Sequence, residues 1–169
     1  MLKWENTFTL DGRVLSDTEI ELVKLWAVHT MRRAHSGFAI ELSKRDGTNI
    51  IHIRDVCTHV RCDADSAGDT WPLSKSSNVY YSVLAKRALS HATGQRNDRM
   101  HVLMGLGQGI GATAAHEVGH EWPIGMPTVD QRHDGGGYDY YTFDRYHHSY
   151  GQLHWTEASL TLLRKNLRY

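Results

Sequence analysis

The chain has 169 residues, an apolar fraction of 40% and fifteen glycines, which suits one ordinary domain whose core needs no disulfide staples. Nineteen Lys and Arg balance nineteen Asp and Glu, with a pI near 7.2, so the basic excess of a general nucleic-acid binder is missing and no nucleic-acid partner is expected. No apolar run approaches the roughly 18–20 residues of a membrane helix, and Met1 to Val14 lacks the apolar centre of a signal peptide; the default expectation is a chain with no membrane partner, cytoplasmic or part of a larger particle.

Residues 1–169 show no repeat or linker and are read as a single domain. Ser16-Asp17-Thr18-Glu19 is a capping box, with Ser at the N-cap and Glu three residues on. It predicts a helix with an apolar stripe of Ile20, Val23, Leu25, Trp26 and Met31, basic residues Arg32 and Arg33 in the last turn, and a stop at Gly37. Two short strands are expected at Phe38 to Leu42 and Ile50 to Ile53, around the turn signal Arg45-Asp46-Gly47. Cys57 to Ser77 is polar and reads as loop. Within it, Cys57 and Cys62 form a C-x4-C pair, taken as reduced thiols ahead of a local disulfide or a second metal site. A strand is expected at Asn78 to Val83, running into a short helix at Leu84 to Leu89.

A long helix is predicted over Val102 to Trp122, ended by Pro123. Glycines at 105, 107, 109 and 111 weaken its first half, so a start near Gly109 is an alternative. Pro123 to Gly151, rich in Gly, Asp, Tyr and His, reads as a long loop. A last helix follows from Thr156, with Leu160, Leu163 and Leu167 on one face. Helix, mixed strands, helix, loop, helix is an α+β pattern.

Twelve histidines stand out in the composition, and half of them fall between His116 and His154. His116-Glu117-Val118-Gly119-His120 is an H-E-x-x-H motif. On a helix, residues four apart share a face, so both imidazoles can reach one ion. Glu117 then flanks the water that such an ion would carry. Zinc lowers the pKa of that water to about 7, and a carboxylate beside it can take the proton and pass it to a leaving amine. Catalytic zinc usually takes three protein ligands. The third must come from downstream, and one candidate is His133, in Arg132-His133-Asp134-Gly135-Gly136-Gly137, where glycines let the backbone turn back sharply. Glu157, His147, His148, Asp130 and Asp139 are the alternatives. The tyrosines from Tyr138 to Tyr150 are read as a cleft rim, and Trp26, Trp71, Trp122 and Trp155 as core or cleft wall.

From Asn78 to Tyr169 the chain resembles the catalytic half of a metzincin-type zinc peptidase. Gly109-Ile110-Gly111-Ala112-Thr113-Ala114-Ala115 leading into the motif is similar to that family's active-site helix. Leu153 to Arg168 is similar to its closing helix, and the segment around His133 to the one that carries its third ligand. The resemblance implies a zincin-like fold with a small mixed sheet, a long active-site helix and a C-terminal closing helix. It also implies a Zn2+ cofactor, protein or peptide substrates, and peptide-bond hydrolysis with Glu117 as general base. Two features depart from the pattern. The family spacing places Gly and His where this chain has Pro123 and Met126, so His133 comes seven residues late. No Met precedes the closing helix, where the chain reads Tyr146-His147-His148-Ser149-Tyr150. A Glu157 ligand would make the site similar to the gluzincins instead. The rival from another class is a zinc-stabilised structural or assembly component, such as a virion protein, that keeps the fold without the chemistry.

Overall fold

A computed structural model describes residues 1–5, 7–38, 42, 49–58, 66–70, 75–92, 98–121 and 164, without the side chains of residues 91, 92, 120 and 121. The elements are β1 (Leu2–Trp4), β2 (Thr9–Leu10), β3 (Arg13–Val14), α1 (Asp17–Ala34), β4 (Ile50–Arg54), β5 (Gly68–Thr70), β6 (Ser76–Tyr80), α2 (Tyr81–Ala92) and α3 (Arg99–Glu121). This is a mixed α+β fold, as the sequence pattern predicts.

The capping box of α1 is formed. The backbone N–H of Ser16 donates to Glu19 Oε2 at 2.9 Å, and that of Glu19 donates to Ser16 Oγ at 3.3 Å. Two of the helix's orphan donors are thereby satisfied. The other oxygen of the same carboxylate accepts from Arg99, the first residue of α3 and 80 positions on, so one side chain ties together two helix starts. The guanidinium is the main reason the Glu19 carboxyl is held down to about 2. At the far end of α1 the chain turns through His35, and Gly37 takes a positive φ of 89°.

In the main sheet the strand order is β1-β4-β6-β5, with β1, β4 and β6 mutually parallel and β5 antiparallel to β6. One face carries Ile51, Ile53, Ser77 and Val79, all 1% exposed or less, and the helices pack against it. Lys3, His52, Asn78 and Asp69 line up across the strands on the opposite face. Parallel neighbours need long crossovers, and α1 lies within the first of these, between β1 and β4.

Helix α3 is buried along most of its length, with Leu106, Ile110 and Ala114 fully inaccessible. Two of its glycines are explained by α1. A Cβ on Gly107 would lie 2.6 Å from the Val23 carbonyl oxygen, and one on Gly111 would lie 2.3 Å from that of Ala27. Four residues apart, the two glycines share a face and let the α1 backbone approach to van der Waals contact. Packing outweighs the helix propensity that they cost. The start near Gly109 is therefore corrected to Arg99. Asp98 caps that start, its Oδ1 accepting from the His101 N–H at 2.8 Å.

Several other expectations are corrected. Three short strands precede α1, two of them joined by Asp11-Gly12, whose positive φ values of 54° and 71° fit a tight primed hairpin turn. Leu25 points to solvent at 64% exposure, whereas Val23, Ala27 and Met31 carry the buried stripe. Gly68–Thr70 and Ser76 to Ser77 are strand, not loop. β6 ends at Tyr80 and the helix begins at Tyr81, so strand does not continue to Val83. Phe38 sits in a bend and Leu42 in no element; the rest of that expected strand, and the Arg45-Asp46-Gly47 turn, lie outside the described residues. Cys57 is disulfide-bonded, which corrects the reduced-thiol reading; the chain's other cysteine, Cys62, lies outside the described residues. Of the expected last helix only Arg164 is described, and it is helical. Among the described residues no helix is long and apolar enough to cross a membrane.

Candidate functional site

The H-E-x-x-H residues occupy the last turns of α3, which runs unbroken through Glu121. Each face of this stretch has its own neighbour. Ile110, Ala114 and Val118 belong to the apolar core, Gly107 and Gly111 meet α1, and Thr113 and Glu117 turn toward β5. His116 is half-buried, and its Nδ1 atom is shut off from solvent. The backbone of His120 lies one turn further on, at a spacing that brings the Cβ atoms of such a pair within about 6 Å. The side chain of His120 lies outside the described residues, as do His133, Glu157, His147, His148, Asp130 and Asp139. Among the described residues no three His, Cys, Asp or Glu side chains gather as a metal set. What is brought together is His116, Glu117 and the His120 backbone. Imidazoles one helical turn apart are donors that suit zinc, and the buried nitrogen of His116 leaves only part of its ring to face outward.

Glu117 is 5% exposed, an unusual place for a carboxylate without polar partners. The partners come from the sheet. Thr70 Oγ1 donates to Glu117 Oε2 at 2.7 Å and lies 3.1 Å from the Glu117 carbonyl oxygen and 2.9 Å from Ser77 Oγ. Ser77 is fully buried and sits directly across the ladder from Thr70. The other carboxylate oxygen, Oε1, lies over Gly68, where a Cβ would approach it to 2.6 Å. Gly68 and Thr70 are two apart on a strand and so face the same way. On the opposite face Asp69 accepts from Asn78 Nδ2 at 2.7 Å. Burial, reinforced by the Asp69 carboxylate, pushes the Tyr80 phenol above the usual tyrosine range.

Sequence reasoning missed Gly68, Thr70 and Ser77. Nothing in Gly-Asp-Thr has the alternation of a strand, and the contact that gives these residues meaning is 47 positions away. Two described histidines stand apart from the motif: His35 closes α1 with its Nδ1 2.9 Å from the Met31 carbonyl oxygen, and His52 lies on the polar face of β4. Trp26 packs beside Gly107. No protein-family model, curated protein or solved structure matches the chain.

Proposed function

We propose that the chain is a zinc-dependent metallopeptidase with a zincin-like fold, in which His116, His120 and His133 hold the metal and Glu117 is the general base. One observation supports it above the rest: a buried, hydrogen-bonded carboxylate stands next to His116 at the end of an unbroken helix that also carries His120. A structural zinc site needs two imidazoles from such a helix but has no use for a carboxylate between them. The small mixed sheet backed by α1 and α3 is also the arrangement that the metzincin resemblance implies.

Zinc in this position would supply an acidified water and polarise the substrate carbonyl. Neutral imidazoles of His116 and His120 would orient it from one helix face, and a loop imidazole from His133 would complete the set. Glu117 would be the group that accepts a proton from that water and donates it to the leaving amine. Its burial among Gly68, Thr70 and Thr113 keeps bulk water from competing for that proton.

Glu117→Gln tests this, because the amide keeps the shape and an acceptor for Thr70 while losing the base. Zinc content and thermal melting should stay as in the wild type, and cleavage of a peptide library should fall by about 10²–10⁴-fold. Undiminished cleavage would remove Glu117 from the chemistry. A zinc-loaded wild type that cleaves nothing would favour the structural or assembly reading, and a chain that takes up no zinc would end both.

A further inference from the structure

The contact between β5 and the end of α3 carries an inference about how the carboxylate is aimed. We infer that Thr70 is a positioning residue for Glu117, its hydroxyl holding Oε2 and so fixing how the carboxylate is aimed. The inference rests on the reading of Glu117 as the base.

Thr70 has one hydroxyl proton and three oxygens within reach: Glu117 Oε2 at 2.7 Å, Ser77 Oγ at 2.9 Å and the Glu117 carbonyl at 3.1 Å. A carboxylate is the strongest acceptor of the three and the nearest, so the proton goes to Oε2. The Ser77 hydroxyl can then donate to the Thr70 oxygen, giving a relay Ser77 to Thr70 to Glu117 whose direction is fixed by the charge at its end. The second oxygen is held by shape. Oε1 occupies the space over Gly68, with the Thr113 methyl beside it, and the Cβ of any larger residue at 68 would come within 2.6 Å of Oε1. A glutamate side chain ordinarily samples many rotamers. Here one oxygen is hydrogen-bonded and the other is walled in, so the aim of the base is set before substrate arrives.

Thr70→Val removes the hydroxyl at nearly constant volume, and Thr70→Ser restores it. In the zinc-loaded full chain, Thr70→Val should lower kcat on a cleaved peptide by about 10–100-fold, the effect of losing one hydrogen bond to a charged group. KM should stay within about twofold and zinc stoichiometry unchanged, since the clamp touches neither substrate nor metal. Thr70→Ser should return most of kcat. A drop in Thr70→Ser equal to that in Thr70→Val, or a change confined to KM, would overturn the inference.

Thermal melts supply a readout that needs no activity. Thr70→Val should lower Tm by about 3–6 °C in the wild type and by much less in a Glu117→Ala background, where no carboxylate remains to be orphaned. Equal shifts in both backgrounds would mean that Thr70 does not act through Glu117. Coupled melts with a wild type that hydrolyses nothing would leave the clamp standing and sink the peptidase proposal instead.

Discussion

Replacing a helical glycine by alanine ordinarily stabilises a helix by about 1 kcal/mol, and α3 offers two positions at which the outcomes should have opposite sign. Gly105 is a mid-helix glycine with nothing within 4 Å of where a Cβ would stand. Gly105→Ala should therefore collect the full propensity gain, raising Tm by about 2–4 °C for a domain of this size. Gly111 faces the α1 backbone, where a Cβ would lie 2.3 Å from the Ala27 carbonyl oxygen and 2.8 Å from Thr30 Cβ. Ordinary contact begins near 3.4 Å, so the helices must part by about 1 Å. Neither atom sits at the tip of a flexible side chain that could swing aside. Overpacking of this kind costs about 1–3 kcal/mol or more, and parting the helices also loosens Val23, Ala27 and Met31 against the core. Net of the propensity gain, Gly111→Ala should destabilise by about 1–2 kcal/mol and lower Tm by about 2–8 °C. Urea unfolding of the two variants beside the wild type decides the matter. If Gly111→Ala melts at or above the wild type, α1 and α3 do not cross at this separation, and the explanation of the glycines fails.

Other outcomes follow from single groups. His133→Ala should strip the zinc, whereas Glu157→Gln should cost only a helix-terminus effect of about 0.3–1 kcal/mol; zinc affinities in the reverse order would replace the third ligand and make the site gluzincin-like. Burial pushes the His35 imidazole down from 6.5 to about 4, against the pull of the Met31 carbonyl. Between those values the unfolded chain binds a proton that the folded chain refuses, so stability falls on acidification across that window and levels off below it. His35→Phe should remove about 2 kcal/mol of the loss seen between pH 7 and pH 5 in urea titrations, and an unchanged pH slope would mean that His35 does not supply it. Glu19 contributes in the other acid window: its carboxyl is held at about 2 rather than 4.5, so the stabilisation is present above about 4.5 and lost as pH falls to about 2. Partial exposure of the Glu19 and Arg99 side chains, 20% and 29%, screens the pair to about 1 kcal/mol. Melts of Glu19→Gln should therefore differ from the wild type at pH 6 and converge near pH 2.

The features that were legible in the sequence are those whose cause is local. Ser16 and Glu19 are three residues apart, and their reciprocal bonds need nothing beyond α1. That His116, Glu117 and His120 share the end of one helix follows from spacing alone. The Asp11-Gly12 hairpin was equally local but was not read, although its two-residue turn signal stands between Leu10 and Arg13. Features that depend on distant partners were not legible. Ser76, Ser77 and Thr70 read as loop because strand recognition looks for apolar alternation, and here the ladder pairs Ser77 with Thr70, whose hydroxyl bonds Glu117. The glycines of α3 argued for a late start until the partner of two of them, the α1 backbone beside Gly107 and Gly111, was known. Leu25 was counted into a stripe by its chemistry, although the face that α3 covers runs through Val23, Ala27 and Thr30.

The position of β5 links the site to a weak part of the fold. Only three residue pairs join β5 to β6, and among the described residues β5 is the outermost strand of the sheet. Such an edge opens by local fluctuation at far less free energy than unfolding the core around Leu106 and Ile110. Each opening would carry Thr70 away from Glu117 while α1 and α3 remain locked together through Gly107 and Gly111. Backbone amides 68–70 should then exchange with solvent hydrogen long before those of mid-α3, and the fraction of molecules in which Thr70 holds Glu117 is the closed fraction of this edge. Whatever stabilises the edge, a bound chain segment included, would raise that fraction without touching Glu117 itself.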